Sequence, residues 1–258
     1  FSFRKVWYSN DMQKEIEWLL KEKYRGRLTT AAKKDIAKLK KGEPVDYLIG
    51  FIEFVGCNID LSLKPLIPRP ETEYWTQKAI GDIQSSSKRN SNIQCLDIFA
   101  GSGCIGIAIL KHIQKSNVDF AEKDKRFVRQ VLFNLKKNNI LKKRFTVVCS
   151  DIFDGISGKY NYIFANPPYV AQKRRKSVQN SVLKYEPQGA LFAGKDGLKY
   201  IKGFLKEARH HLLGNGRIYL EFDSPQKKEI ANLLKKFEYK TWNFHKDQYN
   251  RWRFVVIT

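Results

Sequence analysis

A chain of 258 residues, 42% hydrophobic and 13% aromatic, can bury a large core, and a large domain beside a small one is the arrangement expected. Its 48 Lys and Arg against 26 Asp and Glu give a formal charge of +22, which favours nucleic acid or a ribonucleoprotein as partner, although lysines spread along the whole chain also fit a generally lysine-rich composition. No apolar stretch approaches the roughly 20 residues of a bilayer span and FSFRKVWYSND has no signal-peptide layout, so a membrane protein is excluded and a cytoplasmic one expected.

In chain order, Met12, Ile16, Leu19 and Leu20, then Ala32, Ile36 and Leu39, recur at helical spacing and predict two short amphipathic helices. Residues 47–63 hold two β-rich runs on either side of Gly56, the pattern of a hairpin. LKPLIPRPETE is a proline-stiffened loop that enters a helix at about Glu71. The polar run GDIQSSSKRNSN, residues 81–92, reads as a linker. The expected organisation is a small helical N-terminal domain over 1–46, a hairpin and proline-loop connector over 47–80, and a larger domain over 81–258.

Beyond the linker, strands alternate with helices. Strands are expected at 93–98, VDFAE, FTVVC, YIFAN, GRIYLEF and RWRFVVI, with helices after the first glycine turn, at 125–138, in DGLKYIKGFLKEARHHLL and in QKKEIANLLKKF. Such alternation with short connections predicts an α/β fold with a parallel, doubly wound sheet and its ligand site at the carboxyl ends of the strands. Cys57, Cys95, Cys104 and Cys149 show no paired spacing and no His cluster, so no metal site is expected. Cys95, Cys104 and Cys149 lie in or beside apolar runs, which predicts buried thiols in a reducing cytosol.

LDIFAGSGCIGIAIL contains Gly101, Gly103 and Gly106 in a G-x-G-x-x-G turn after a strand, with Glu122 about twenty residues later, and so satisfies the dinucleotide fingerprint. Asp97 argues against a pyrophosphate, because a carboxylate there repels an anion and favours a cation. S-adenosylmethionine, with an ammonium, a sulfonium and no phosphate, suits the turn better. Phe99, Ala100, Gly101, Ser102 and Gly103 would form the turn, Glu122 would accept from the ribose hydroxyls, and Asp151 and Ile152 would meet the adenine with Phe153 against the ring. Plainer readings stand beside these: glycines for tight packing, Glu122 as a solvated acid like Asp119 and Asp124, Asp151 as a helix cap, and Phe153 as a core aromatic.

In YIFANPPYV, two prolines end a buried strand and present Asn166 and Tyr169 rigidly. Asn166-Pro167-Pro168-Tyr169, with DIFAGSG before it, resembles the methyltransferases that alkylate planar amide or amino nitrogens. IPRPETE within residues 41–73, and the later KYEPQGALFAGKDGLKYI, make the chain similar to the HemK/PrmC family of release factor glutamine methyltransferases from about Lys41 onward. The resemblance implies a Rossmann-like class I methyltransferase sheet, S-adenosylmethionine as donor with S-adenosylhomocysteine as product, and a monomer acting on the Gly-Gly-Gln glutamine of a release factor near the ribosome. It also implies that the Asn166 side-chain oxygen and the Pro167 carbonyl accept the two amide hydrogens, while Tyr169 packs on the amide and Asn166 borders the cofactor. The chain departs from the family at Phe99, where a glycine is usual, at Glu122, where Asp is commoner, and in its short helical region before Lys41. Three other readings stay open: a nucleic-acid methyltransferase using the basic run at 173–176 on phosphates, a ribosomal-protein glutamine methyltransferase, and a non-catalytic adaptor. The basic run also reads as a solvated, mobile loop.

Overall fold

The computed structural model describes residues 11–86 and 92–258. Residues 1–10 of the N-terminal stretch and 87–91 of the expected linker lie outside the described residues. Helix α1 (Met12–Tyr24) starts on Asp11, whose carboxylate accepts from the Gln13 and Lys14 amides, and α2 (Thr30–Lys40) starts on Thr29. A third helix, α3 (Val45–Ile49), ends at Gly50 in the left-handed region, so the expected strand start at residue 47 is corrected to Phe51. The three helices close around Leu19, Leu39, Val45, Leu48 and Ile49. Among them Asp35 accepts from Lys23, Tyr24 and Lys38, and those bonds outweigh its burial and hold its carboxyl at about 2.

Strands β1 (Phe51–Phe54) and β2 (Cys57–Asp60) form the expected hairpin around Val55 and Gly56, both at positive φ. The Val55 amide donates to Glu73 at 2.7 Å, which anchors a β-branched residue in a conformation it rarely adopts. Helix α4 (Pro70–Ser86) opens on a proline with Glu71 and Glu73 in its first turn. It runs through Gly81 because Ile80 and Ile83 are buried, so residues 81–86 are helical rather than linker.

The rest of the chain builds a seven-stranded sheet. Its elements are β3 (Ile93–Ile98), α5 (Cys104–His112), β4 (Ser116–Glu122), α6 (Lys125–Lys137), β5 (Phe145–Cys149) and β6 (Tyr160–Ala165). They continue as α7 (Asn180–Tyr185), α8 (Lys199–Glu207), β7 (Leu212–Glu221), α9 (Lys227–Lys236), β8 (Trp242–Lys246) and β9 (Trp252–Ile257). The order is β5-β4-β3-β6-β7-β9-β8, with β3 to β7 parallel. β9 runs antiparallel to both β7 and β8, which corrects the wholly parallel expectation. The reason is the short link between β8 and β9: Asp247 turns the chain by accepting from the Tyr249 and Arg251 amides, and a parallel crossover needs a far longer connection.

One apolar core lies on each sheet face, α4, α5 and α6 covering one side and α8 and α9 the other. β5 is an edge strand, so Cys149 is exposed rather than buried as expected, while Cys57, Cys95 and Cys104 are buried free thiols.

The polar stripe Gln130, Asn134 and Asn138 on α6 fastens the hairpin and proline loop to the sheet. Gln130 accepts from the Leu63 amide at 2.9 Å, Asn134 from Asp60 at 2.8 Å and Asn138 from Asn58 at 3.0 Å. The Asn134 amide also donates to the Ser102 carbonyl in the glycine turn at 2.9 Å. Asn134→Ala strands the Asp60 donor and the Ser102 acceptor in a buried seam, and is expected to lower unfolding free energy by about 1–3 kcal/mol in urea titration with an unchanged slope.

Candidate active site

Strand order reverses between β3 and β6, and the register pairs Ile98 with Ala165, so Phe99 and Asn166 leave neighbouring strands side by side. A crevice at this switch point is where α/β sheets take ligands. A cavity of about 590 Å³ opens there. Its walls are the turn Phe99–Ser102, the ends of β4 and β5, Asn166 and Pro168, the proline loop Leu66–Arg69 and the loop Pro187–Ala190.

The turn is stitched to its neighbours by backbone bonds. Ala100 N–H donates to the Ala121 carbonyl and Ser150 N–H to the Glu122 carbonyl, at 3.1 and 3.0 Å. Phe99 occupies the left-handed region at φ 62°, the conformation a glycine would take without strain. Its ring compensates by packing edge-on to Tyr200 and near Phe204. Gly106 has a separate reason: a Cβ there would lie 2.3 Å from the Phe120 ring, so glycine alone lets α5 approach the sheet. That approach lets Gly106 N–H donate to Asp97 Oδ2 at 2.8 Å.

Asp97 lies behind the turn rather than on the cavity wall, fully buried, and among the described residues nothing partners its Oδ1. Burial pushes its carboxyl up to about 8, with the nearby Glu122 charge adding to the effect. From behind the turn an ionised Asp97 would act on the cavity through its field, which favours a cationic group such as the S-adenosylmethionine ammonium over a phosphate. Glu122 is on the wall, one oxygen accepting from Gly101 N–H and the other from Asp124 N–H, each at 2.8 Å. Each oxygen keeps a lone pair for a ribose hydroxyl. Burial raises the Glu122 carboxyl too.

Asp151 and Ile152 line the cavity, and Asp151 pairs with Lys123 at 2.5 Å across its edge. Phe153 does not line it. Ile152 takes a positive φ, and Phe153 turns into the core, stacking on His211 at 4.4 Å and on Phe204 at 5.7 Å. The adenine contact expected of Phe153 is therefore replaced by a core role. Gly103 and Pro167 also lie off the wall. Tyr169 also lies off the wall, and its hydroxyl donates to Glu221 Oε1 at 3.0 Å, which anchors the motif.

Sequence reasoning missed two residues next to Asn166. The Asn166 amide nitrogen donates to Thr72 Oγ1 at 3.2 Å, and Thr72 donates to Glu221 Oε2 at 2.7 Å. Trp75 Nε1 donates to the same oxygen at 2.6 Å. The available signals were an acid ending the apolar strand GRIYLEF and the threonine inside RPETE.

An open, mostly parallel sheet with a glycine turn and a polar motif on adjacent strand ends defines a class I methyltransferase. Residues 83–250 match the Methyltransferase small domain family. The release factor glutamine methyltransferase of Lactococcus lactis subsp. lactis (strain IL1403) is 28% identical over 260 residues, covering 100% of this chain and 93% of that protein. Its counterpart in Streptococcus pneumoniae (strain ATCC BAA-255 / R6) is 33% identical, over 85% of this chain and 76% of that one. Among solved structures, a ribosomal protein L11 methylase from Lactobacillus delbrueckii subsp. bulgaricus shares the fold with TM-score 0.53 at 15% identity, over 75% of this chain and 80% of its own. The chain belongs to the release factor glutamine methyltransferase family.

The cation-favouring role expected of Asp97 would have a pH signature. The ionised carboxylate favours the cation, and Asp97 stays protonated below about 8 without ligand, so cofactor affinity should rise with pH from 6 towards 8 and binding near pH 7 should release a proton. Asp97→Asn should flatten that rise and weaken binding by about 1.5–3 kcal/mol while remaining folded. Calorimetry in buffers of different ionisation enthalpy measures both.

Proposed function

We propose that this chain transfers a methyl group from S-adenosylmethionine to the side-chain amide nitrogen of the Gly-Gly-Gln glutamine in a peptide-chain release factor. One observation carries the reading: Asn166 stands at the sheet's switch point, on the wall of the same cavity as the glycine turn, with its amide nitrogen already committed to Thr72. Its oxygen is then left to accept an N–H from a substrate amide. Cofactor binding falls to Asp97, the turn from Phe99 to Ser102, Glu122 and the Asp151–Ile152 edge. When bound, S-adenosylmethionine supplies an electrophilic methyl group on a sulfonium.

A glutamine amide nitrogen is a weak nucleophile because its lone pair is delocalised into the carbonyl. One fixed acceptor, Asn166 Oδ1, orients the nitrogen and stabilises positive charge as it develops there, and the second acceptor expected at the Pro167 carbonyl would have to reach the substrate from just behind the cavity wall. Pro167 and Pro168 hold both acceptors with little conformational freedom to lose. The proline loop and the Pro187–Ala190 loop close over the site as one roof, because Arg69 Nη2 pairs with the buried Glu186 at 2.6 Å and Ile67 N–H donates to the same carboxylate at 3.1 Å. That clasp gives the two segments IPRPETE and KYEPQGAL a shared purpose, excluding water and shaping the entry for a peptide loop.

The nucleic-acid reading loses support from the basic run. Residues 172–177 form an exposed 3-10 turn in which Arg174 pairs with Asp223, while Arg175 donates to Gln188 and lies over the Phe192 ring, so half of the run already has partners on this chain's own surface. The run is solvent-exposed, as the plainer reading expected. We assign residues 1–46 to release-factor docking, 47–80 to the connector and 81–258 to catalysis, in a monomer working in the cytoplasm near the ribosome.

Incubation with S-adenosylmethionine and a release factor should add one methyl to the glutamine of the Gly-Gly-Gln peptide by mass spectrometry. Methyl transfer confined to RNA would overturn the assignment. Asn166→Ala should slow single-turnover transfer by about a hundredfold or more while altering cofactor affinity much less.

A further inference from the structure

The hydrogen bonds behind Asn166 run in one direction, and with Glu221 ionised that direction is set by proton count. A threonine hydroxyl has one hydrogen to donate. Thr72 gives it to Glu221 Oε2 at 2.7 Å. Glu221 is an acceptor at every contact it makes here: Thr72 and Trp75 donate to Oε2, and Tyr169 donates to Oε1. With its hydrogen spent, Thr72 Oγ1 can meet Asn166 only as an acceptor, so the Asn166 NH2 group must face it, at 3.2 Å. The Asn166 oxygen is thereby directed away from Thr72.

We infer that Thr72 and Glu221 are positioning residues that set the polarity of Asn166, through a one-way relay from an acceptor-only carboxylate to the substrate-facing amide oxygen. The inference rests on the reading of Asn166 as a catalytic acceptor. It deepens that reading by fixing the substrate class: the site is prepared for a nitrogen that brings its own hydrogens, a primary amide or amino group, and is mismatched to an acceptor such as a carbonyl oxygen. Were Thr72 free to donate, the Asn166 amide could turn over and offer NH2 to the target nitrogen, which repels rather than holds it.

The relay also joins parts of the chain far apart in sequence. Thr72 and Trp75 lie on α4, Tyr169 follows β6, and Glu221 ends β7. Helix α4 thus reaches the site through Thr72, which lines the same cavity as the glycine turn.

The test is single-turnover methyl transfer to a release factor, with cofactor affinity and release-factor KM measured separately, for Thr72→Val, Thr72→Ser, Asn166→Ala and Thr72→Val combined with Asn166→Ala. Thr72→Val should slow transfer about tenfold or more with cofactor affinity and KM within about twofold, and Thr72→Ser should restore it to within about twofold of the native rate. In the Asn166→Ala background, Thr72→Val should cost less than about a further twofold, because the oxygen it positions is gone. Thr72→Ala, which cannot crowd the buried site, should match Thr72→Val. Near-native transfer by both Thr72→Val and Thr72→Ala, with Asn166→Ala slow, would overturn the relay and leave the Asn166 reading standing. An equal loss in both backgrounds would assign Thr72 a purely structural role. Near-native transfer by Asn166→Ala would instead overturn the underlying reading.

Discussion

A carboxylate shut away from solvent must collect donors, and Glu221 collects three of them from two parts of the chain. Thr72 and Trp75 come from the connector helix and Tyr169 from the Asn-Pro-Pro-Tyr motif. Burial raises the Glu221 carboxyl, while these bonds and the Arg253 charge work in the other direction. The arrangement fixes α4 on its face of the sheet, pins the motif after β6, and sets the orientation of Asn166. Trp75 adds apolar weight: its fully buried indole stacks on Phe164 and Tyr219 at 6.5 and 6.4 Å, so the same residue serves the core and the relay. Losing one member of such a set leaves the others desolvated and unpaired, which is why the motif and the helix behave as one unit.

Around this point the site divides its work between two kinds of constraint. On the donor side, the glycine turn and the half-buried Glu122 line the pocket, with Asp97 and Gly106 locking α5 to the sheet behind the turn. On the acceptor side, rigid prolines and the relay present Asn166, and the Arg69–Glu186 clasp closes the roof. The α6 stripe of Gln130, Asn134 and Asn138 couples the two sides, since Asn134 holds both the hairpin and the turn.

What the sequence revealed of this followed from locality. The glycine turn, Glu122 and Asn166 each sit at the end of a contiguous strand pattern, and the sheet's topology places strand ends of this kind at the switch point. Thr72 and Glu221 stand 149 residues apart, and nothing in either neighbourhood announces a partner. Phe153 was misread because an aromatic beside a motif has no direction until the backbone is placed; the positive φ at Ile152 turned its ring into the core, and the Tyr169 hydroxyl's bond to Glu221 was invisible for the same reason. Polar composition made residues 81–86 look like a linker, although Ile80 and Ile83 carry enough buried surface to keep α4 helical. Cys149 looked buried because edge position in a sheet is a tertiary property.

The orientation of the hydrogens at Glu221, Thr72 and Asn166 is the point on which site geometry and substrate chemistry meet. Neutron diffraction from deuterium-exchanged crystals observes it directly. A deprotonated Glu221, a Thr72 deuteron pointing at Oε2, and a deuterated Asn166 nitrogen facing Thr72 Oγ1 is the result this account predicts. A Thr72 deuteron pointing at the Asn166 side chain, with the Asn166 oxygen receiving it, would contradict the account.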